Sequence, residues 1–224
     1  MRRVLATVLW DGGGGDLNWN NADNWSTGSL PGVADDVIIP DLSPDITINH
    51  TSGSTTINSL ASAESISISG GAIDIQENST IAANLTLGNS SSARLSGSGD
   101  ITVGGTFDWS GGRLEGTGTL ITAGDSNFSG STKTIERSVE NQGDVTWTSG
   151  SIQISSGGYT NLAGATFDAQ TSASLTGSTS SDGFTNAGTF IRSSNSSTTN
   201  IFAPFDNSGA LDVQLGAISF RSAA

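Results

Sequence analysis

A short motif that recurs four times in the second half of the chain limits the possible fold more than any other sequence feature. It consists of an aromatic residue or Val, any residue, Asn, any residue, Gly, any residue and an apolar residue. The four copies are Val139–Val145, Tyr159–Phe167 (with an insertion), Phe184–Phe190 and Phe205–Leu211. Its turn residues are Asn141, Asn161, Asn186 and Asn207, with Gly143, Gly188 and Gly209. The asparagines recur at roughly 20 to 25 residues, the period range of solenoid proteins.

A second turn, centred on glycine, recurs between short segments in which apolar and polar residues alternate. Gly70–Gly71, Gly111–Gly112, Gly150 and Gly216 mark this turn, and Ile66–Ile68 is one such segment. Alternation predicts short strands with one buried face and one solvated face. Because no window has apolar residues at i, i+3, i+4 and i+7, we expect almost no helix.

These patterns predict an all-β fold, a right-handed parallel β-helix of about 8–9 coils. Glycine supplies the positive φ that the corners need, and Asn tolerates the left-handed region. Equivalent asparagines of successive coils are expected to stack as an inward ladder, and Trp109 and Trp147, two repeats apart, are expected to stack as well. The alternative is an antiparallel β-sandwich with Gly-rich hairpins, which does not require equivalent turns at a regular period.

Composition excludes several classes of function. Only 8 Lys and Arg stand against 21 Asp and Glu, so the basic face that nucleic-acid binding needs is missing. No apolar run approaches the ~20 residues of a membrane span. Without Cys, the chain has no disulfide, zinc-thiolate site or cysteine nucleophile, which fits a bacterial exported protein that folds without oxidation.

The chain divides into three segments. Residues 1–10 resemble the start of a signal peptide but lack a small-residue cleavage site. Residues 11–44 form a segment rich in Trp, Asp, Asn and Gly that is expected to cap the solenoid. Residues 45–224 hold the β-helix repeats and are expected to belong to a longer chain with adjoining repeats.

The repeat and the opening of the chain resemble the secreted right-handed β-helix proteins of bacteria. The opening spans Trp19 to Ile39 and includes Trp25, Pro31 and Asp35. The families that it resembles are filamentous-haemagglutinin-like adhesins, autotransporter passengers and pectin-lyase-like solenoids. The resemblance implies an extracellular or cell-surface location, and since adhesins, pectin-degrading enzymes and plain stalks share this fold, it does not select an activity.

Candidate catalytic residues are few. Asp35–Asp36 is the one adjacent acidic pair, and His50 is the one histidine. A polysaccharide hydrolase needs two carboxylates that flank the scissile bond. Asp35–Asp36 is interpreted instead as a polar turn before a strand, so no enzymatic activity is expected.

Two binding sites remain open from the sequence. Asp11, Asp16, Asp35 and Asp36 lie in an acidic, Gly-rich stretch, which leaves open a structural Ca²⁺, although the spacing matches no EF-hand loop. Trp19 and Trp25 are either a platform for stacking sugars or a plug for the open end of the solenoid.

The expected function is that of a non-catalytic, structural and adhesive stalk or surface-display region with glycans or surface proteins as partners. A carbohydrate-binding module that uses Trp19 and Trp25 is the first alternative, and a polysaccharide-degrading enzyme is the second. No cofactor is expected apart from the Ca²⁺ left open above.

Overall fold

The computed structural model describes residues 6–177 and 183–221, in which the chain forms short strands and one 3-10 turn, Ala22–Asn24. The strands are β1 (Ala6–Leu9), β2 (Asp35–Ile39), β3 (Thr47–His50), β4 (Ser54–Ile57), β5 (Ser59–Ser62), β6 (Ser65–Ile68), β7 (Ala72–Ile75), β8 (Ser79–Ile81), β9 (Leu85–Leu87), β10 (Arg94–Ser96), β11 (Ile101–Val103), β12 (Phe107–Trp109), β13 (Gly112–Thr122), β14 (Ser126–Phe128), β15 (Lys133–Asn141), β16 (Asp144–Trp147), β17 (Ile152–Ile154), β18 (Gly158–Asn161), β19 (Thr166–Ala169), β20 (Ser174–Gly177), β21 (Phe184–Asn186), β22 (Thr189–Arg192), β23 (Thr198–Ile201), β24 (Phe205–Asn207), β25 (Ala210–Val213) and β26 (Ala217–Phe220).

The strands wind into a parallel β-solenoid of about nine turns with three faces. The first face stacks β1, β2, β5, β8, β11, the second half of β13, the second half of β15, β18, β21 and β24. The second face stacks β3, β6, β9, β12, β14, β16, β19, β22 and β25. The third face stacks β4, β7, β10, the first halves of β13 and β15, β17, β20, β23 and β26. The predicted parallel β-helix is confirmed.

The chain visits the faces in a fixed order, which defines three corners. An asparagine corner joins the first face to the second, a glycine corner joins the second to the third, and a third corner leads back to the first. In β13 and β15 the chain passes the third corner as one continuous strand. The register between these two strands shifts between Glu115 and Thr119, at that corner.

Alternation along each strand builds the core. In β7, for example, Ile73 and Ile75 are buried and Asp74 lies on the outer side. Each coil places its apolar residues over those of its neighbour, so Ile66 stands in register with Leu85, and Leu85 with Phe107. One coil has too few apolar side chains to form a core, and stacking makes that core continuous.

Aromatic rings fill the core of the later coils. Tyr159, Phe184 and Phe205 lie stacked on the first face, with ring centroids 4.9 Å and 5.4 Å apart. The expected stack of Trp109 on Trp147 is wrong, because Phe128 stands between them in register and packs edge-on against Trp109 at 5.3 Å. Two repeats separate the tryptophans, so the intervening coil supplies the ring that each one meets.

Glycine has different roles at the two predicted corners. At the glycine corner, Gly71 and Gly112 have φ of 72° and 80°, as expected for left-handed positions. At the asparagine corner, Gly143 and Gly209 do not have positive φ; a Cβ there would overlap the carbonyl oxygens of Gly124 and Gly188 in the preceding coil. The expectation that glycine serves every corner through positive φ is therefore corrected, since close approach of coils selects it at the asparagine corner.

Two strands of the solenoid lie in the first two segments that the sequence analysis defines. Ala6–Leu9, from the leader-like residues 1–10, is a strand of the first face and pairs with β2. β2 itself lies inside the expected cap segment 11–44, so only the loop between β1 and β2 lies outside the coils. Residues 1–5 lie outside the described part of the chain. Within that part, no helical segment has the length and hydropathy of a membrane span.

Candidate functional site

The Trp cluster closes the N-terminal end of the solenoid. Trp10 and Trp19 both meet Trp25 edge-on, with ring centroids 5.0 Å and 4.8 Å away. The Trp25 indole N–H donates to the carbonyl oxygen of Trp19 at 2.8 Å. Trp19 and Trp25 are 0% and 1% exposed. A sugar stacks on an exposed ring face, so these two rings cannot form a sugar platform in this arrangement and instead plug the end.

A polar network shapes the loop that carries these rings. Buried Asn24 donates to Asp16 Oδ1 at 2.7 Å and to the Asn18 carbonyl oxygen at 3.0 Å, and it accepts from the Gly14 N–H. Asp16 also accepts from the Asn18 N–H and from the Asn21 amide. These bonds lower the pKa of Asp16, the Asn18 backbone contact most strongly. The segment from residue 11 to 25, which we name the cap loop, is thus held by its own Asn and Asp side chains.

The four candidate calcium ligands have local hydrogen-bond partners. Asp11 accepts from the Gly13 N–H, and Asp35 from the Gly32 N–H at 2.7 Å. Asp36 accepts from the Ser59 hydroxyl at 2.6 Å and the Asn58 amide at 2.7 Å, which together lower its pKa. Among the described residues, no three His, Cys, Asp or Glu side chains form a group that could hold a metal. Asp11 and Asp16 lie in the cap loop and Asp35 and Asp36 in β2, so the structure does not gather them into a ligand set.

The candidate acid and base residues do not form an accessible catalytic pair. His50, at the end of β3, is 0% exposed, and its Nδ1 lies 2.9 Å from the Gly70 carbonyl oxygen. Burial lowers its pKa, and the hydrogen bond to Gly70 opposes that effect. A polymer substrate cannot reach a wholly buried ring, while Asp36 is engaged with Asn58 and Ser59 on the first face.

The asparagine corner carries the predicted inward ladder. Asn141 donates to Asn161 at 2.9 Å, Asn161 to Asn186 at 2.8 Å, and Asn186 to Asn207 at 2.6 Å. Thr122 continues the ladder one coil earlier by donating to Asn141 Oδ1 at 3.1 Å. The first three amides are wholly buried. The ladder is confirmed, and it joins successive coils through side-chain as well as backbone hydrogen bonds.

The glycine corner has interior donors that the sequence interpretation missed. Each is a polar N–H group beside this corner, at the end of a second-face strand or the start of a third-face strand, and it donates to corner carbonyl oxygens. Trp109 donates to Gly111 at 2.7 Å and Trp147 to Gly150 at 2.7 Å. Lys133, at the start of a third-face strand, donates to the carbonyl oxygens of Ser131 and Ser149, both at 3.0 Å.

Arg192 is the most extensively bonded of these donors. Its guanidinium donates to the Ala169 and Thr171 carbonyl oxygens of the preceding coil, at 3.0 Å and 2.6 Å. It also donates to the Asn195 and Ser197 carbonyl oxygens of its own coil, at 2.8 Å and 2.7 Å. A signal was present in the sequence, since Arg192 follows its motif asparagine at the same distance as Trp147 does, a position that faces inward.

Arg137 has the same role at the third corner. Its Nε donates to Gly118 at 2.9 Å and its Nη2 to Gly99 at 2.8 Å. Burial lowers its pKa to about 10, opposed by the carboxylates of Asp100 and Asp74. Lys133, Arg137 and Arg192 are therefore structural cations, buried to 0%, 1% and 0% exposure.

This placement makes the outer surface more acidic than the net charge of −13 indicates. Three of the eight basic residues lie inside, and two more, Arg94 and Arg113, pair with Glu115 and Glu136 on the third face at 3.2 Å and 2.9 Å. A polyanionic ligand such as a polyuronate or nucleic acid would meet electrostatic repulsion over most of the described surface.

Two shallow grooves lie on the outer side of the first face. One, of about 250 Å³, runs past Glu140, Thr160 and Thr185, where Gly158 and Gly183 leave space. The other, of about 340 Å³, lies along the same face in earlier coils and is lined by Asn78, Thr80, Asp100 and Thr102 together with apolar residues such as Ile121. Hydroxyl and carboxylate oxygens line both grooves, so they suit a neutral, hydroxyl-rich ligand better than an anion.

The C-terminal end differs from the capped end. Leu211, Val213, Leu215 and Phe220 are 42–48% exposed. Among the described residues, β24, β25 and β26 each have a strand partner on one side only. Unpaired backbone groups and apolar side chains at a solenoid end attract further strands.

No protein-family model, curated protein or solved structure matches the chain.

Proposed function

We propose that the chain is a non-catalytic structural β-solenoid, an exported stalk or display region of a larger cell-surface or secreted protein. The hydrogen bonds made by the buried polar side chains are the observation that supports this proposal most. The asparagine ladder, Arg137 and Arg192 connect neighbouring coils rather than converging on a cavity. Such bonding suits a rigid rod.

The outer faces supply the adhesive part of the proposal. The first face presents one or two short polar side chains per strand, and both grooves described above lie on it. Repetition along the rod provides many weak, equivalent contacts, which together bind more strongly than one contact alone. The acidic surface favours neutral glycans or surface proteins with a basic patch.

The test is incubation of the chain with a panel of neutral and anionic soluble polysaccharides, with and without Ca²⁺. Pull-down reports binding, and new reducing or unsaturated ends report cleavage. We expect binding of a neutral glycan without cleavage. Cleavage of any polysaccharide, abolished by Asp36→Asn, would overturn the non-catalytic assignment.

A pair of variants locates the contact. Thr160→Arg fills the groove on the first face, and Thr146→Arg introduces the same side chain on the outer side of the second face. Loss of binding in Thr160→Arg alone assigns adhesion to the first face. Equal loss in both variants would contradict that assignment and indicate an effect of charge or of the fold.

A further inference from the structure

The single histidine has a fixed tautomer. His50 Nδ1 lies 2.9 Å from the Gly70 carbonyl oxygen, which only accepts hydrogen bonds. Nδ1 must therefore carry a proton, and in the neutral ring Nε2 is then a bare acceptor. Nε2 is buried and has no hydrogen-bond partner among the described residues.

The ring beside it, Trp19, presents the complementary group. The ring centroids of Trp19 and His50 are 6.3 Å apart, with the planes at 70°. Trp19 Nε1, which only donates, is also buried without a partner in the described part of the chain. A neutral His50 and Trp19 thus place one unpaired acceptor and one unpaired donor on neighbouring rings, where no direct hydrogen bond joins them but one bridging water would satisfy both.

Protonation would remove that match. An imidazolium has two donors, so its Nε2–H and the Trp19 N–H would be two buried donors, neither with an acceptor among the described residues. The charge would also lie beside the Trp cluster, where burial lowers the pKa of His50.

Among the described residues, no carboxylate forms a hydrogen bond or an ion pair with His50. Strands β3 and β6 and the turn through Gly70 contain no charged residue. The cap loop carries Asp11, Asp16 and Asp23, of which Asp16 accepts three hydrogen bonds from its own loop. Glu64, which precedes β6, accepts from the Leu42 and Ile46 N–H groups at 2.7 Å. Within the described residues, no ion pair involves His50, so a protonated ring there has no counter-ion.

We propose that His50 is an acid-sensitive latch for the N-terminal cap, closed while the ring is neutral and released when Nε2 takes up a proton. Release moves the cap loop away from β3 and exposes the Trp rings and the edges of the first coil. The backbone bonds that tie the loop to β3, from the Trp19 N–H and to the Leu17 carbonyl, would break with it.

The test is hydrogen exchange of the full chain between pH 7.5 and 5.5, corrected for the intrinsic pH dependence of exchange. If the open state titrates near 6.5, the opening equilibrium rises up to about tenfold over this range. We expect that rise for amides of the cap loop and of β3, and no change for β14 or β16 in the central coils. No change in the cap loop would overturn the proposal.

The matched variant is His50→Gln, whose amide N–H can still donate to Gly70 but cannot be protonated. We expect its cap-loop exchange to be flat over the same pH range. Acid opening equal to that of the unchanged chain would overturn the proposal, because the carboxylates would then be responsible.

A direct measurement covers the case in which the variant fails to fold. NMR of the single histidine in the full chain is expected to show the proton on Nδ1 and a titration below pH 6.5. A proton on Nε2, or a titration at or above 6.5, would contradict the latch.

Discussion

The two ends of the solenoid differ in how far the terminal coil is covered. At the N-terminal end, Trp10 and the cap-loop rings Trp19 and Trp25 lie over the first coil, and all three rings are buried. At the other end, β24 to β26 leave apolar side chains such as Leu211 and Phe220 about half exposed. The stacked strands have the same kind of cross-section at both ends, so the difference lies in whether described residues cover it.

At the N-terminal end, closure comes from a segment that does not follow the repeat. The repeats alternate apolar and polar residues, so every additional coil reproduces the surface that it covers. The cap loop instead uses large rings with a polar edge and a network of Asn and Asp that turns the chain across the end. Four predictions test this difference, from the largest effect to the smallest.

Trp25→Ala is expected to cost about 4 kcal/mol of unfolding free energy, because it leaves a large cavity between Trp10 and Trp19. Urea denaturation followed by circular dichroism measures it. Trp25→Phe, which keeps most of the packing but loses the bond to the Trp19 carbonyl, should cost less than half as much. A loss below about 1 kcal/mol for Trp25→Ala would mean that the cap contributes little to stability.

Asn161→Ala is expected to cost about 2 kcal/mol, since it removes the hydrogen bonds to the buried Asn186 Oδ1 and to the Ala165 and Thr189 carbonyl oxygens. Asn207→Ala, on the exposed last rung of the same ladder, should cost about 0.5 kcal/mol. Equal losses in the same denaturation experiment would show that the position of a rung along the rod is immaterial.

Lys133 lies in the central coils, away from both ends. We expect it to make the free energy of unfolding depend on pH. Burial lowers its pKa from 10.5 to about 8. The folded state then binds fewer protons than the unfolded state between these values, so stability rises as pH increases from about 8 to about 9.5, below the pKa of Arg137, by at least about 1 kcal/mol. Because Lys133 is the only lysine, Lys133→Met should abolish the rise. A rise of the same size in Lys133→Met would assign it to other groups.

Leu211→Ala is expected to change the unfolding free energy by less than about 0.5 kcal/mol, because this side chain is 42% exposed on the last coil. Phe190→Ala, one coil inward at the register partner of Leu211, should cost about 3 kcal/mol or more. A large loss for Leu211→Ala would indicate that the C-terminal end is covered in solution.

The sequence was sufficient to predict the fold and one of its ladders. Asn141, Asn161, Asn186 and Asn207 recur within a repeated motif, and a residue type that recurs at one turn indicates an equivalent position in every coil. Glycine at the second turn was recognised for the same reason. The role of Gly143 and Gly209 could not be recognised from the sequence. Close approach between coils depends on how two segments stand in register, and the sequence of one segment does not show that.

The burial of three basic side chains was not predicted from the sequence. Lys133, Arg137 and Arg192 look like scattered surface charges, because Lys and Arg are almost never fully buried without a partner. Here their partners are corner carbonyl oxygens, and the repeat offered a signal at Arg192 alone, through its equivalence to Trp147. Trp19 and Trp25 left two interpretations open, and only their burial selects the plug over the sugar platform.

Because the coils stack in register, the number of coils sets the length of the rod. Neighbouring strands in a sheet lie about 4.8 Å apart, so each whole coil adds that length and nothing else. Deletion of one complete coil from the aromatic region would preserve the ladder, the corner donors and the cross-section. The length of such a rod therefore changes in steps of one coil, while its two ends and its outer faces keep their chemistry.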